Sequence, residues 1–142
     1  MTEVVYLVKP VDLVSQITHN IFIGGWSDTY VPSNFGYVVS LVRESYRFTP
    51  GVTTLKSVFK DEDKLPDLIQ LGVITDWINS VRNHKPVLIH CHMGINRSAF
   101  IAAMILIIDG MNPTDAIALI REKRSELCLN NKTFENYLRN MK

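Results

Sequence analysis

Two hydrophobic patterns take turns along the chain: short apolar runs, and apolar residues at helical spacing. Ile17 and the run Ile21-Phe22-Ile23 flank the turn residues His19-Asn20, and Gly24-Gly25 closes the segment. This predicts a short strand pair. Residues 37–42, Tyr-Val-Val-Ser-Leu-Val, form a β-branched apolar run that predicts a buried strand. After the turn residues Pro50-Gly51, residues 53–59 predict another. The polar stretch Asp61-Glu62-Asp63-Lys64 reads as a loop, and Pro66 suits the start of a helix. Leu68, Leu71, Ile74, Ile78 and Val81 then recur at helical spacing, with Trp77 near the same face, and the helix should end near residues 83–86. Pro86-Val87-Leu88-Ile89-His90 is a compact strand. Residues 98–108 are apolar nearly all round, as in a helix buried at the centre of a fold, and Asp109-Gly110 stops them. Asn112 as cap and Pro113 at the first helical position open the next helix, and a last one spans 132–141. Strands alternating with helices predict an α/β fold, a central, mostly parallel β-sheet flanked by helices.

Composition limits what such a fold can do. The chain has 142 residues, no repeat and no linker, so one domain over 1–142 is expected. At this size a chain buries roughly 70% of its unfolded surface and needs no staple. The net charge of +1 gives no bulk pull toward nucleic acid or an anionic membrane, so any anion binding must be local. Two cysteines, Cys91 and Cys128, are too few for a disulfide framework, and the reducing cytosol suits a free thiol. The first ten residues lack the basic region and cleavage site of a secretory signal. The longest apolar run, 99–108, is about half a membrane span. The expectation is a soluble, cytoplasmic protein with no membrane partner.

The chemistry concentrates between the strand ending at His90 and the helix opening near Ser98: His90-Cys91-His92-Met93-Gly94-Ile95-Asn96-Arg97-Ser98. A short loop from a strand into a helix can turn successive backbone N–H groups inward. With the positive end of the helix dipole, that nest binds a tetrahedral dianion. Gly94 permits a turn that a side chain would forbid. Arg97 offers a planar fork matched to two phosphate oxygens. The same field favours a thiolate at Cys91, placed beneath a held phosphorus atom. The Ser98 hydroxyl can donate to that sulfur when it leaves again. His90 is expected to order the loop rather than act as a base, since a thiolate needs none. A zinc site of His90, Cys91 and His92 would need four ligands converging tetrahedrally, which adjacent residues rarely supply, so neither a metal nor another cofactor is expected. Cys128 reads as a packed thiol.

The pattern His-Cys-x-x-Gly-x-x-Arg-Ser resembles the signature of the cysteine-dependent protein tyrosine phosphatase superfamily, and the short chain is similar to its small dual-specificity branch. Five fixed residues in nine would arise by chance on the order of once in 10⁵ chains or fewer. The resemblance implies a protein tyrosine phosphatase-like fold. It implies hydrolysis of phosphotyrosine, and of phosphoserine and phosphothreonine, through a phosphocysteine at Cys91. Residues 92–97 (His92, Met93, Gly94, Ile95, Asn96, Arg97) would form the phosphate loop, and phosphorylated proteins would be the substrates. It further implies an aspartate on a loop after a strand, ahead of the cysteine, as general acid and then base. Asp61 fits best because it follows the strand end directly; Asp63 is the alternative. Asp67 reads instead as favourable charge in a helix first turn.

The tail, Ala116-Ile117-Ala118-Leu119-Ile120-Arg121 followed by Arg124, Asn131, Phe134 and Leu138, is similar to the closing pattern of the same proteins, with Tyr137 where they often have Gln. Asn131 and Phe134 read more simply as helix cap and core anchor. Met93 and Asn96 depart from the commonest dual-specificity loop, which has Ala and Ser there. Gly94-Ile95-Asn96-Arg97 resembles the loop of cysteine-dependent RNA 5′-triphosphatases, although these continue with Thr and Gly rather than Ser98 and Ala99. Two other functions therefore stand beside the leading one: an RNA 5′-triphosphatase, which would need a basic groove, and a phospho-binding module without turnover.

Overall fold

In the computed structural model of the chain, residues 13–25, 35–44 and 51–141 are described. Five strands form one sheet: β1 (Val14–Gln16), β2 (Ile21–Gly24), β3 (Tyr37–Ser40), β4 (Thr53–Lys56) and β5 (Val87–His90). Their order is β1-β2-β5-β3-β4. Only β1 runs antiparallel to its neighbour; the pairs β2–β5, β5–β3 and β3–β4 are parallel. The sheet is thus mostly parallel, as the alternation of runs and helical spacing predicts.

Among the described residues, one helix, α1 (Leu68–Val81), lies between β4 and β5, and three follow β5: α2 (Arg97–Ile108), α3 (Pro113–Lys123) and α4 (Lys132–Arg139). Alternation along the strands sends Ile21 and Ile23, Val39, Val87 and Ile89 into the larger core, together with the helices. Val38 and Leu88 point the other way, into a smaller cluster with Phe35. Helix α2 packs on β2 and β5 and touches each of the other three helices. Every residue from Ser98 to Ile107 is buried, which explains an apolar pattern with no polar face. Phe134 of α4 stacks on Phe100 at 4.4 Å between centroids and meets Phe59 edge-on at 6.2 Å. That aromatic column fixes the end of the segment after β4 against α2.

Several boundaries differ from expectation for local reasons. The first strand is Val14–Gln16, and Ile17 already belongs to the turn, where its N–H donates to the Ile21 carbonyl. β3 ends at Ser40 and β4 at Lys56; Leu41 and Val42 beyond β3 are still buried in the core, with the Leu41 N–H donating to the His90 carbonyl at 3.1 Å, and Phe59 beyond β4 packs on Phe134 of α4. Pro66 lies outside α1. The cap is Asp67, whose carboxylate accepts from the Ile69 N–H at 2.8 Å, so Asp67 closes the helix end instead of sitting in its first turn. Leu68 is exposed, since the first turn of α1 runs beyond the core that takes Leu71, Ile74 and Ile78. The caps Asn112 and Asn131 and the first-turn Pro113 are where the sequence puts them, and α4 ends at Arg139, two residues short. Of the predicted turn Pro50-Gly51, Pro50 lies outside the described residues, as does the apolar run of residues 4–8; Gly51 has φ +92°.

Candidate active site

β5 is the central strand, so the segment leaving its carboxyl end emerges in the middle of the sheet, directly below the start of α2. Cys91 is its first residue and is buried. Gly94 takes φ +70°, and a Cβ there would meet the Arg124 guanidinium at 2.6 Å and the Gly24 backbone at 2.7 Å, so both conformation and space require glycine. Gly25 is needed for a similar reason: a Cβ would lie 2.7 Å from the His92 carbonyl.

The loop curls around the sulfur. The Gly94 N–H points to Cys91 Sγ at 3.2 Å, and Ser98 Oγ lies 3.3 Å from it. The loop carbonyls turn outward, where Arg124 donates from Nε to Gly94 at 2.7 Å and from a terminal nitrogen to Met93 at 3.0 Å. Its other terminal nitrogen donates to Ser15 Oγ of β1 at 3.0 Å. A guanidinium gripping the carbonyls from behind leaves the amide hydrogens facing the concave side. The Leu129 N–H adds a bond to the Ile95 carbonyl at 2.9 Å.

Arg97 donates to the Phe59 carbonyl at 3.1 Å and to His92 Nδ1 at 3.3 Å. Since guanidinium can only donate, Nδ1 must accept, and the ring hydrogen sits on Nε2, which donates to Glu44 at 2.9 Å. That hydrogen bond holds the Glu44 carboxyl below its ordinary range. His90 lies on the opposite side of the strand, and burial pulls its imidazole down to about 4, so it is neutral at physiological pH. Burial pushes the Cys128 thiol up to about 11, as for a packed, unreactive sulfur.

Asp61, Cys91, Arg97 and Asn96 line one pocket of about 210 Å³. Exposed Met93 and Leu127, with Ile95, give this pocket an apolar rim. Asp63 does not line it; Asp63 borders a neighbouring polar hollow, and its carbonyl accepts from the Thr133 hydroxyl at 3.1 Å. Of the residues singled out from the sequence between His90 and Ser98, Cys91, His92, Met93, Ile95, Asn96 and Arg97 line the same cavity as Asp61, whereas Gly94 and Ser98 reach it only through their contacts with the Cys91 sulfur and His90 is not part of its lining. Sequence reasoning missed Glu44, Asn130 and the gripping role of Arg124. Only Arg124 carried a signal, its place in the tail pattern.

Residues 29–142 match the dual specificity phosphatase catalytic domain, a span that includes the whole loop and the tail. The chain belongs to the dual-specificity phosphatase family. Dual-specificity phosphatases are enzymes of the protein tyrosine phosphatase superfamily, and the chain is a protein tyrosine/dual-specificity phosphatase by membership. It is 29% identical to a probable protein tyrosine phosphatase type IVA A of Dictyostelium discoideum, over 96% of this chain and 90% of that one. It is 28% identical to a putative tyrosine phosphatase, 123R, of Invertebrate iridescent virus 6, over 78% of this chain and 80% of that one. A mouse putative dual specificity phosphatase, solved in complex with zinc tungstate, superposes with a TM-score of 0.77 over 89% of this chain and 84% of that one. At 20% identity that last likeness is one of fold. Among the described residues no helix is long and apolar enough to cross a membrane.

Proposed function

We propose that this dual-specificity phosphatase hydrolyses phosphotyrosine in proteins, and phosphoserine and phosphothreonine, through a phosphocysteine at Cys91. In the first step the Cys91 thiolate attacks phosphorus, the bond from phosphorus to the ester oxygen breaks, and Asp61 gives that oxygen its proton. Inward loop amides and Arg97 hold the equatorial oxygens as charge spreads over them. In the second step water attacks the phosphocysteine, Asp61 takes the water's proton, the phosphorus–sulfur bond breaks, and Ser98 donates a hydrogen bond to the departing sulfur. Inorganic phosphate leaves. The observation that carries this reading is the single cavity in which Cys91, Arg97 and Asp61 meet. Asp63 does not line that cavity, which favours Asp61 as the acid.

The rim supports an apolar substrate body. Met93 is 71% exposed and Leu127 49%, so both can contact a substrate at the pocket mouth, and a thioether packs well on an aromatic ring. A tyrosyl ring suits that rim better than a triphosphorylated RNA end, which would call for cations. One catalytic domain over 1–142 and a cytoplasmic location, where free thiols persist, belong to the same reading. Phosphate release from phosphotyrosyl peptides tests it: the wild type should turn over and Cys91→Ser should lose all measurable activity. Equal rates in both would end it.

A further inference from the structure

Asn96 stands at the N-cap of α2, a position where asparagine ordinarily hydrogen-bonds its own helix, yet its side chain makes no such bond. A capping amide would occupy backbone N–H groups that a bound phosphate needs. The side chain turns outward instead, and every polar function on it is used. Nδ2 donates to Asp61 Oδ2 at 3.0 Å and to Asn130 Oδ1 at 2.7 Å, while Oδ1 accepts from the Asn131 N–H at 3.0 Å. Asn131 completes the grip. Its Oδ1 caps α4 at the Phe134 N–H, and its Nδ2 donates to Asp61 Oδ1 at 2.7 Å and to the Glu62 carbonyl at 2.8 Å.

We propose that Asn96 and Asn131 are positioning residues that clamp the two carboxylate oxygens of Asp61 and so hold the loop carrying the acid at the mouth of the phosphate pocket. The inference rests on Asp61 being the general acid. Asp61 itself is exposed; the two amides fix its carboxylate, one from the phosphate loop and one from the cap of α4. Each carboxylate oxygen keeps a second lone pair, so the clamp leaves room for a proton aimed at the leaving oxygen. A hydroxyl at position 96 has one hydrogen to give and cannot serve Asp61 and Asn130 together.

Asn96→Ala and Asn131→Asp separate this role from a structural one. The second variant keeps a capping oxygen for Phe134 while replacing the donor to Asp61 by a repelling carboxylate. Each is assayed on a phosphotyrosyl peptide, whose phenol needs protonation to leave, and on an aryl phosphate with strongly electron-withdrawing substituents, which needs little. Vanadate affinity reports the phosphate loop. The expected result is a loss of tenfold or more on the peptide, less than threefold on the activated ester, unchanged vanadate binding, and no added loss when Asn96→Ala is combined with Asp61→Ala. Equal losses on both substrates, weakened vanadate binding, additive losses or no change in either variant would overturn the proposal. If Asp61→Ala itself shows no leaving-group selectivity, the assignment of the acid fails first, a result distinct from failure of the clamp.

Discussion

Arg97 shows how a single side chain depends on groups far away in sequence. Its fork is what the phosphate loop asks for, but its aim comes from the Phe59 carbonyl on one side and His92 on the other, with Glu44 fixing the imidazole tautomer behind. A lysine would bring the charge without the planar pair of donors or the second anchor. Arg97→Lys is therefore expected to lower kcat/KM by a hundredfold or more, with losses in both kcat and phosphate affinity. Steady-state kinetics together with a phosphate or vanadate competition assay would check it; near-normal constants would contradict the role. Neither Glu44 nor its pairing could be read from the sequence, because the partners lie 48 positions apart and no local pattern links them.

At the scale of elements, the legible features were those set by neighbouring residues. An all-apolar run becomes the central helix α2, and asparagines before a first turn become caps at α3 and α4. What escaped were element ends: α1 is capped by Asp67 and begins at Leu68 rather than at Pro66, and two strands stop at Ser40 and Lys56, short of the ends of the apolar runs that predicted them. Helix α4 is the element most tied to the site. Its eight residues carry one large anchor, Phe134, which is fully buried between Phe100 and Phe59. Phe134→Ala should destabilise the fold by about 3–5 kcal/mol, the usual range for a buried phenylalanine. Urea unfolding followed by fluorescence or circular dichroism would show the midpoint falling at unchanged slope.

Over the whole molecule, stability should depend on pH through two buried groups of opposite charge type. His90 has its folded value lowered to about 4 by burial, against an ordinary value of 6.5. The unfolded chain therefore binds the proton first as pH falls. The folded state loses ground between about 6.5 and 4, by up to roughly 3 kcal/mol. Burial alone would raise the Glu135 carboxyl, but hydrogen bonds from Arg139 and Lys132 and the charge of Arg121 outweigh it and hold the group at about 2. Its stabilising contribution is present above about 4.5 and is lost below that. Thermal melts should thus show a decline in stability from pH 6.5 toward 4 in the wild type that His90→Asn abolishes, while the fall below 4.5 persists; a wild-type profile flat from 6.5 to 4.5 would contradict it. By itself the sequence determined the α/β class, the central helix and the identity of the loop, because side-chain period, caps and a nine-residue motif are all encoded within reach of one turn or one strand. Only the tertiary structure decided which aspartate shares a cavity with the Cys91 sulfur, which arginine grips the loop from behind and which amides hydrogen-bond the Asp61 carboxylate. Those choices depend on contacts between segments 30 to 109 positions apart, where chain connectivity imposes no spacing and packing alone selects the partner.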